Sequence, residues 1–298
     1  MAARAPAPVF AAIGPGFQQR VERLASRRDL HLAATPRDAA ILLVAGDMPA
    51  SAGKALSRVH DQLPHPRTSL HWQDAPPESP DDIAQRLVTA WHELCEGRRD
   101  EDDHLPDTPP NPWKGVGPHG QGGKGMMGGT PYGRPMAMTG PDVRDGLQLD
   151  LYTAQVGPFA PMLPPGLVLE VTLQGDVICD LTICDAPFAQ PADADAPMLG
   201  AARMLRLLGL EDAARRVMTG QTPGAFLIRH AVPPGLGRIG DTDARQRLTA
   251  WLAGTSVTVP RFDLRDLLIG AEWSEAALTL ASVPPSAILR AARQEEAA

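Results

Sequence analysis

A chain of 298 residues with 43% hydrophobic content can bury a sizeable core, and its length favours two domains over one. The formal charge of −7 argues against sequence-independent nucleic-acid binding, which needs a basic face to displace counterions. No apolar run approaches the roughly 20 residues needed to span a bilayer. Only three cysteines are present, Cys95, Cys179 and Cys184, with no CxxC pair. That pattern argues against a disulfide framework and against a zinc or iron–sulfur site built within this chain alone, and small buried apolar roles are the expectation for Cys179 and Cys184. The first residues lack a sustained apolar run before Pro15, so no signal peptide is expected. A cytoplasmic protein follows, or one held at a membrane face by other subunits.

In chain order, a short apolar run over 9–13, a Gly14-Pro15-Gly16 turn and a helix over 17–25 open an α/β unit, with Val21 and Leu24 inward. A helix start after such a turn can hold a phosphate, although the tight turn alone accounts for the glycines. The run AAILLVA over 39–45 has the continuous apolar character of a strand buried on both faces of a parallel sheet. A helix over 51–62 carries Ala55, Leu56 and Val59 on one face, a strand over 68–72 follows, and Ser79 starts a helix reaching about residue 96. His31, His60, His65, His71 and His92 share no ligand spacing, and structural or solvent-facing roles are expected for them. Residues 1–96 thus form an α/β domain.

The charged and proline-rich run after Glu96 reads as an exposed boundary, and it leads into a glycine-rich stretch lacking both helical and alternating periods. Residues 97–146 are therefore an extended linker and interaction segment, since such a run cannot bury a face of its own. Its expected partner-binding residues are His119, Gly122, Gly123, Lys124, Met126, Met127, Tyr132, Arg134, Met136, Met138 and Arg144. A phosphate loop is excluded because Lys124 is followed by Gly125 and no Ser or Thr is available. Methionines docking into apolar grooves are favoured over a soft copper site built from His119 and the methionines, and Arg134 and Arg144 are expected to pair with Asp142, Asp145 or Asp150.

From Leu147 the pattern alternates, and a hairpin is expected with strands over 167–173 and 177–183 around a 174–176 turn. Helices follow over 197–208 and 211–218. Another is expected to be capped by Asp241 or Thr242 with Leu248, Trp251 and Leu252 buried, and amphipathic helices over 263–271, 273–280 and from Pro284 through Arg293 complete the chain. Residues 147–298 form an α+β domain, a small antiparallel sheet with a truncated helical bundle.

These residues carry a resemblance. Ala55-Leu56 and His60-Asp61-Gln62-Leu63-Pro64, after the buried strand and its Gly46 turn, are similar to the "alanine-leucine … tyrosine-aspartate-glutamine-methionine-proline" run of the 20-kDa-type iron–sulfur subunit of respiratory complex I. The small subunit of membrane-bound nickel–iron hydrogenases shares it. Residues 75–80 are similar to that family's proline turn, but His71-Trp72 and Asp74-Ala75 stand where its cluster cysteines would be. Downstream, Gly157-Pro158-Phe159-Ala160-Pro161 and 173–178 resemble the "glycine-proline-glutamine-histidine-proline" turn and hairpin of the complex I 49-kDa subunit and the hydrogenase large subunit. Ala160 replaces the family's quinone-site histidine, and alanine can neither hydrogen-bond nor protonate a quinone carbonyl.

The resemblance implies a flavodoxin-like domain fused to a 49-kDa-like one, with iron–sulfur and nickel–iron ligands lost, no metal or other cofactor in this chain, and no catalytic residues. It further implies a non-catalytic structural or coupling subunit of a complex I-like or group 4 hydrogenase-like assembly. Such a subunit is peripheral on the inner face of a membrane and is partnered by membrane ion-translocating subunits. The competing expectations are a working quinone or hydrogenase-type oxidoreductase subunit with an altered quinone pocket, and an assembly factor for such a complex.

Overall fold

The computed structural model describes residues 5–74, 78–99, 138–144, 146–221 and 230–296. The first part is a parallel four-stranded sheet in the order β2-β1-β3-β4, with β1 at Ala7–Ile13, β2 at Leu30–Leu32, β3 at Ile41–Ala45 and β4 at Thr68–Trp72. Every residue of β3 is buried, as its unbroken apolar run predicts for a central parallel strand. Helices α1 (Gln18–Leu24) and α3 (Pro80–Cys95) cover one face, where Val9, Ile41, Leu43 and Ala45 meet Val21, Leu24, Ile83 and Leu87. On the other face Phe10, Ala12, Leu42 and Val44 meet Ala55, Leu56 and Val59 of α2 (Gly53–Gln62). Helix α3 begins where its sequence says it should: Ser79 and Asp82 form a reciprocal capping box, and Pro80 occupies the first turn. Strand β2 has no counterpart among the expected elements, because three residues are too few to show a period.

The second part is a three-stranded antiparallel sheet, β5 (Leu151–Val156), β6 (Val168–Gln174) and β7 (Val177–Asp185), in that order. The hairpin turn is tighter than expected. Gln174 and Val177 are paired, so only Gly175 and Asp176 make the turn, and the Gln174 side chain is buried, donating to Pro141 O at 3.0 Å. The register slips twice, between Val168 and Leu169 and between Thr172 and Leu173. Cys184 and Cys179 are the extra residues left between the paired positions. The expectation that Cys179 and Cys184 are buried is therefore corrected: Cys184 is exposed and Cys179 is half-buried, and Cys95 is exposed as well.

Helices α4 (Pro197–Leu207), α5 (Glu211–Met218) and α6 (Ala244–Leu252) form one apolar cluster. Helices α7 (Leu264–Leu268), α8 (Trp273–Ala281) and α9 (Pro285–Glu296) pack with the sheet in another. The cap of α6 is neither Asp241 nor Thr242 but Asp243, whose side chain accepts from Gln246 N while the Gln246 side chain accepts from Asp243 N. Of the three apolar residues expected inward, Leu248 and Trp251 are buried and Leu252 is half-buried. Next to this cap stands a fully buried cation, Arg247. It donates to the carbonyls of Gly237 (2.7 Å), Thr242 (2.9 Å) and Ser282 (3.0 Å) and to the Ser282 hydroxyl (2.7 Å). Burial pushes its pKa down to about 10, so it stays charged at neutral pH.

Burial raises the pKa of Asp243, but the N–H groups of Gly235 and Gln246, with the charges of Arg238 and Arg247, outweigh it and hold the carboxyl below its ordinary range. A depressed folded pKa means stability that is present at neutral pH and lost as pH falls through that folded value. Asparagine can offer only one acceptor oxygen where aspartate uses two, toward Gly235 N and Gln246 N. Asp243→Asn is expected to lower stability by about 1 kcal/mol at pH 7. In urea denaturation the deficit should shrink toward zero once the pH drops below the carboxyl's own titration.

Candidate functional site

The turn that resembles the quinone-site turn is shaped by two glycines. Gly157 has φ +113, and a Cβ there would lie 2.0 Å from Leu167 O; Gly166 has φ +90 and would strike Phe188 at 2.5 Å. Only glycine fits either place. The loop closes through Gly166 N donating to Pro158 O at 2.9 Å, and Phe188 N donates to Pro165 O at 2.8 Å. The closed loop presents Phe159 to the first sheet, where it is buried with Phe10, Ala12, Leu42 and Val44.

Beside this contact lies a cavity of about 530 Å³, within the size range of small-molecule sites. Strand β2 pairs with β1 only from Ala7 to Val9, so the later residues Ala11 and Ile13 are left to form one wall. Helix α1 contributes Gln18, Val21 and Glu22, with Ala25 just after it; Pro158, Phe159, Ala160 and Pro161 come from the turn; and α4 supplies Arg203, Arg206 and Leu207. Most of this lining is apolar.

The polar groups are concentrated between α1 and α4. Arg203 Nε donates to Glu22 Oε1 at 2.7 Å, and Gln18 Nε2 donates to the same oxygen at 3.1 Å. Gln18 and Glu22 are buried, and the Arg203 side chain is nearly so. This pair links segments 181 residues apart. Four atoms of the lining residues are closed to solvent and have no hydrogen-bond partner: Gln18 Oε1, Glu22 Oε2, Arg203 Nη2 and Arg206 Nη1. Burial pushes the Arg206 guanidinium below its ordinary pKa; Glu22 opposes this, and the adjacent Arg203 charge adds to it. Glu22 faces both guanidiniums and the exposed Glu211 adds an attraction to Arg206, so within the buried part of the cluster the positive charges outnumber the negative. The cavity's other titratable groups, His31, Asp38 and Glu211, are exposed. Asp38 accepts from the Thr35 hydroxyl and Glu211 pairs with Arg215.

No family model, curated protein or solved structure matches this chain. Its chemistry has to be read from its own residues. Pro158, Phe159, Ala160 and Pro161 reach the cavity as a group, and Gly157 shapes their turn. Of the expected partner-binding residues, His119, Gly122, Gly123, Lys124, Met126, Met127, Tyr132, Arg134 and Met136 lie outside the described residues. Met138 is described and is 73% exposed. The Arg144 side chain meets Glu272 at 2.5 Å and Asp176 at 3.5 Å, where the segment folds back against the hairpin turn and the start of α8; of its expected partners, Asp145 lies outside the described residues. Only its backbone N–H uses Asp142, at 3.1 Å.

The phosphate reading of the Gly14-Pro15-Gly16 turn finds its donors already engaged. Gly16 N donates to Ala189 O and Gln18 N to Gln190 Oε1, both from the second half of the chain. At the end of β4, where the resembled family holds a cluster, Trp72 is fully buried. It stacks edge-on against Phe17 at 5.5 Å and donates its indole N–H to Glu78 O. Asp74 is tied to Arg20 at 2.5 Å. An indole and a paired carboxylate do not fit an iron–sulfur cluster, whose irons need thiolates. Among the described residues no group of three or more His, Cys, Asp or Glu side chains stands together as a metal site would require. The residues that sequence reasoning missed are Gln18, Glu22, Arg203 and Arg206.

Proposed function

We propose that this chain is a non-catalytic structural or coupling subunit of a complex I-like or group 4 hydrogenase-like assembly, held peripherally at the inner face of a membrane by partner subunits. In this reading the first part is a flavodoxin-like, 20-kDa-type domain and the second a shortened 49-kDa-type domain. The observation that carries the partner-binding role is a set of exposed apolar residues at the end of the expected partner-contacting stretch and just beyond it. Met138, Val143, Leu147, Leu149 and Tyr152 are all substantially exposed, on a segment leading into β5, an outer strand of its sheet. Large apolar side chains left in solvent near a sheet edge gain by being covered. The parallel strand order 2-1-3-4 suits the flavodoxin-like assignment.

The test is purification of the tagged protein in mild detergent, with identification of partners and an iron and nickel assay on the isolated chain. Membrane ion-translocating subunits should accompany the wild type, and the double variant Leu149→Lys/Tyr152→Lys should lose them while melting within a few degrees of the wild type, because both positions are exposed. Partners unchanged by the double variant, or stoichiometric iron or nickel in the isolated chain, would sink this reading. The competing oxidoreductase reading has one observation of its own, the cavity lined by Phe159 and Ala160. Quinone reduction by the intact assembly that an occluding Ala160→Phe change abolishes would favour it.

A further inference from the structure

We infer that the cavity between α1, α4 and the Gly157 turn is a binding site for a small amphipathic monocarboxylate, its head group held by Arg203 and Arg206 and its apolar body lying along Ile13, Leu32, Phe159 and Leu163. The inference is independent of the complex-subunit reading: it concerns what this chain binds by itself. Its starting point is a cost without a visible return. A guanidinium nitrogen removed from water without a partner is unfavourable, and an uncompensated buried charge more so. Arg206 makes no hydrogen bond or ion pair among the described residues, and its Nη1 is closed to solvent. Arg203 uses Nε on Glu22 and leaves Nη2 unpartnered. The two arginines are three apart on α4 and so share a helix face, and both line the cavity.

The features of the site select the ligand class. Two guanidiniums meet one buried carboxylate, Glu22, and a more distant exposed one, Glu211, so a singly charged anion suits the site better than a dianionic phosphate. Planar guanidinium donors suit the planar carboxylate. Gln18 Oε1 and Glu22 Oε2 are buried acceptors still lacking donors, so a hydroxyl or amide N–H next to the carboxylate adds to binding once the side chains shift to uncover them on ligand entry. The rest of the lining is mostly alanine, valine, isoleucine, leucine, proline and phenylalanine, which favours a hydrocarbon body over a sugar or nucleotide.

The experiment is calorimetric titration of the purified full chain with decanoate, 2-hydroxydecanoate, decanol, decyl phosphate and decylubiquinone, each below its aggregation limit. Expected are one site for decanoate, tighter binding of 2-hydroxydecanoate, and affinities for decanol, decyl phosphate and decylubiquinone weaker by about tenfold or more, the worth of one charge-assisted hydrogen bond. Arg206→Met should weaken decanoate by a similar factor and leave decanol unchanged, whereas Arg206→Lys, which keeps the charge, should lose less. Ala160→Phe, which occupies cavity space without touching a charge, should weaken all five, so a folding defect in one variant cannot imitate the pattern. Equal affinity for decanoate and decanol, tighter binding of decyl phosphate or decylubiquinone than of decanoate, undiminished decanoate binding by Arg206→Met, or no binding of any probe would each overturn the assignment.

Discussion

Replacing Arg247 with methionine is expected to destabilise the protein by about 3–5 kcal/mol, much of the total stability of a typical domain. The side chain is fully buried. Methionine is comparable in length and fills the space, so the loss is polar. The carbonyls of Gly237, Thr242 and Ser282 and the Ser282 hydroxyl all lose a charged donor. Buried acceptors left without partners cost about 1–3 kcal/mol each, offset partly by removal of the desolvated cation. The damage should also be local. These contacts tie the loop before α6 to the junction of α8 and α9, so hydrogen exchange should show early opening at 236–243 and 282–288 while β1, β3 and α3 stay protected. Thermal or urea unfolding checks the magnitude. A change below about 1 kcal/mol would mean that water or a rearranged loop satisfies these acceptors.

Much of the architecture was legible because local signals agreed with one another. The strand over 68–72 and the helix over 211–218 appear with the expected limits, and the Ser79 cap of α3 is where proline and acidic residues announce it. Asp241 and Thr242 are the expected caps of α6, and the residue that decides for Asp243 instead is Gln246, three beyond it, which completes the capping box. Arg247 also left a trace: Ala244, Arg247, Leu248 and Trp251 lie at helical spacing, so the arginine falls on the apolar face. The cavity left none. Arg203 and Arg206 read as solvent-facing residues of an amphipathic helix, and nothing local says that α1 will come against them. That juxtaposition depends on Gly157 and Gly166 turning the chain so that Phe159 seats on the first sheet. Tertiary proximity between residues 181 apart is written in no periodicity.

The same substitution at Arg206, half-buried with its Nη1 closed to solvent, is expected to act in the opposite direction. Arg206→Met should stabilise the ligand-free protein by about 1–3 kcal/mol, because an unpaired cation is exchanged for an apolar side chain of similar length in a mostly apolar environment. Unlike Arg247, Arg206 donates to no carbonyl or carboxylate among the described residues, so its removal orphans no hydrogen bond; it lifts the desolvation cost and the repulsion from Arg203, which together outweigh the lost attraction to Glu22 and Glu211. The Glu22–Arg203 pair becomes a balanced one-to-one ion pair, still tied to Gln18. For a chain of this length a gain of that size raises the melting temperature by several degrees. Such a gain at a residue lining a cavity is the signature of a site that trades stability for binding. Adding a saturating carboxylate should narrow the gap, since the ligand stabilises the wild type by mass action and the variant much less. Thermal unfolding of both proteins with and without 2-hydroxydecanoate separates these contributions. A variant that melts below the wild type in the absence of ligand would mean that Arg206 holds the fold together.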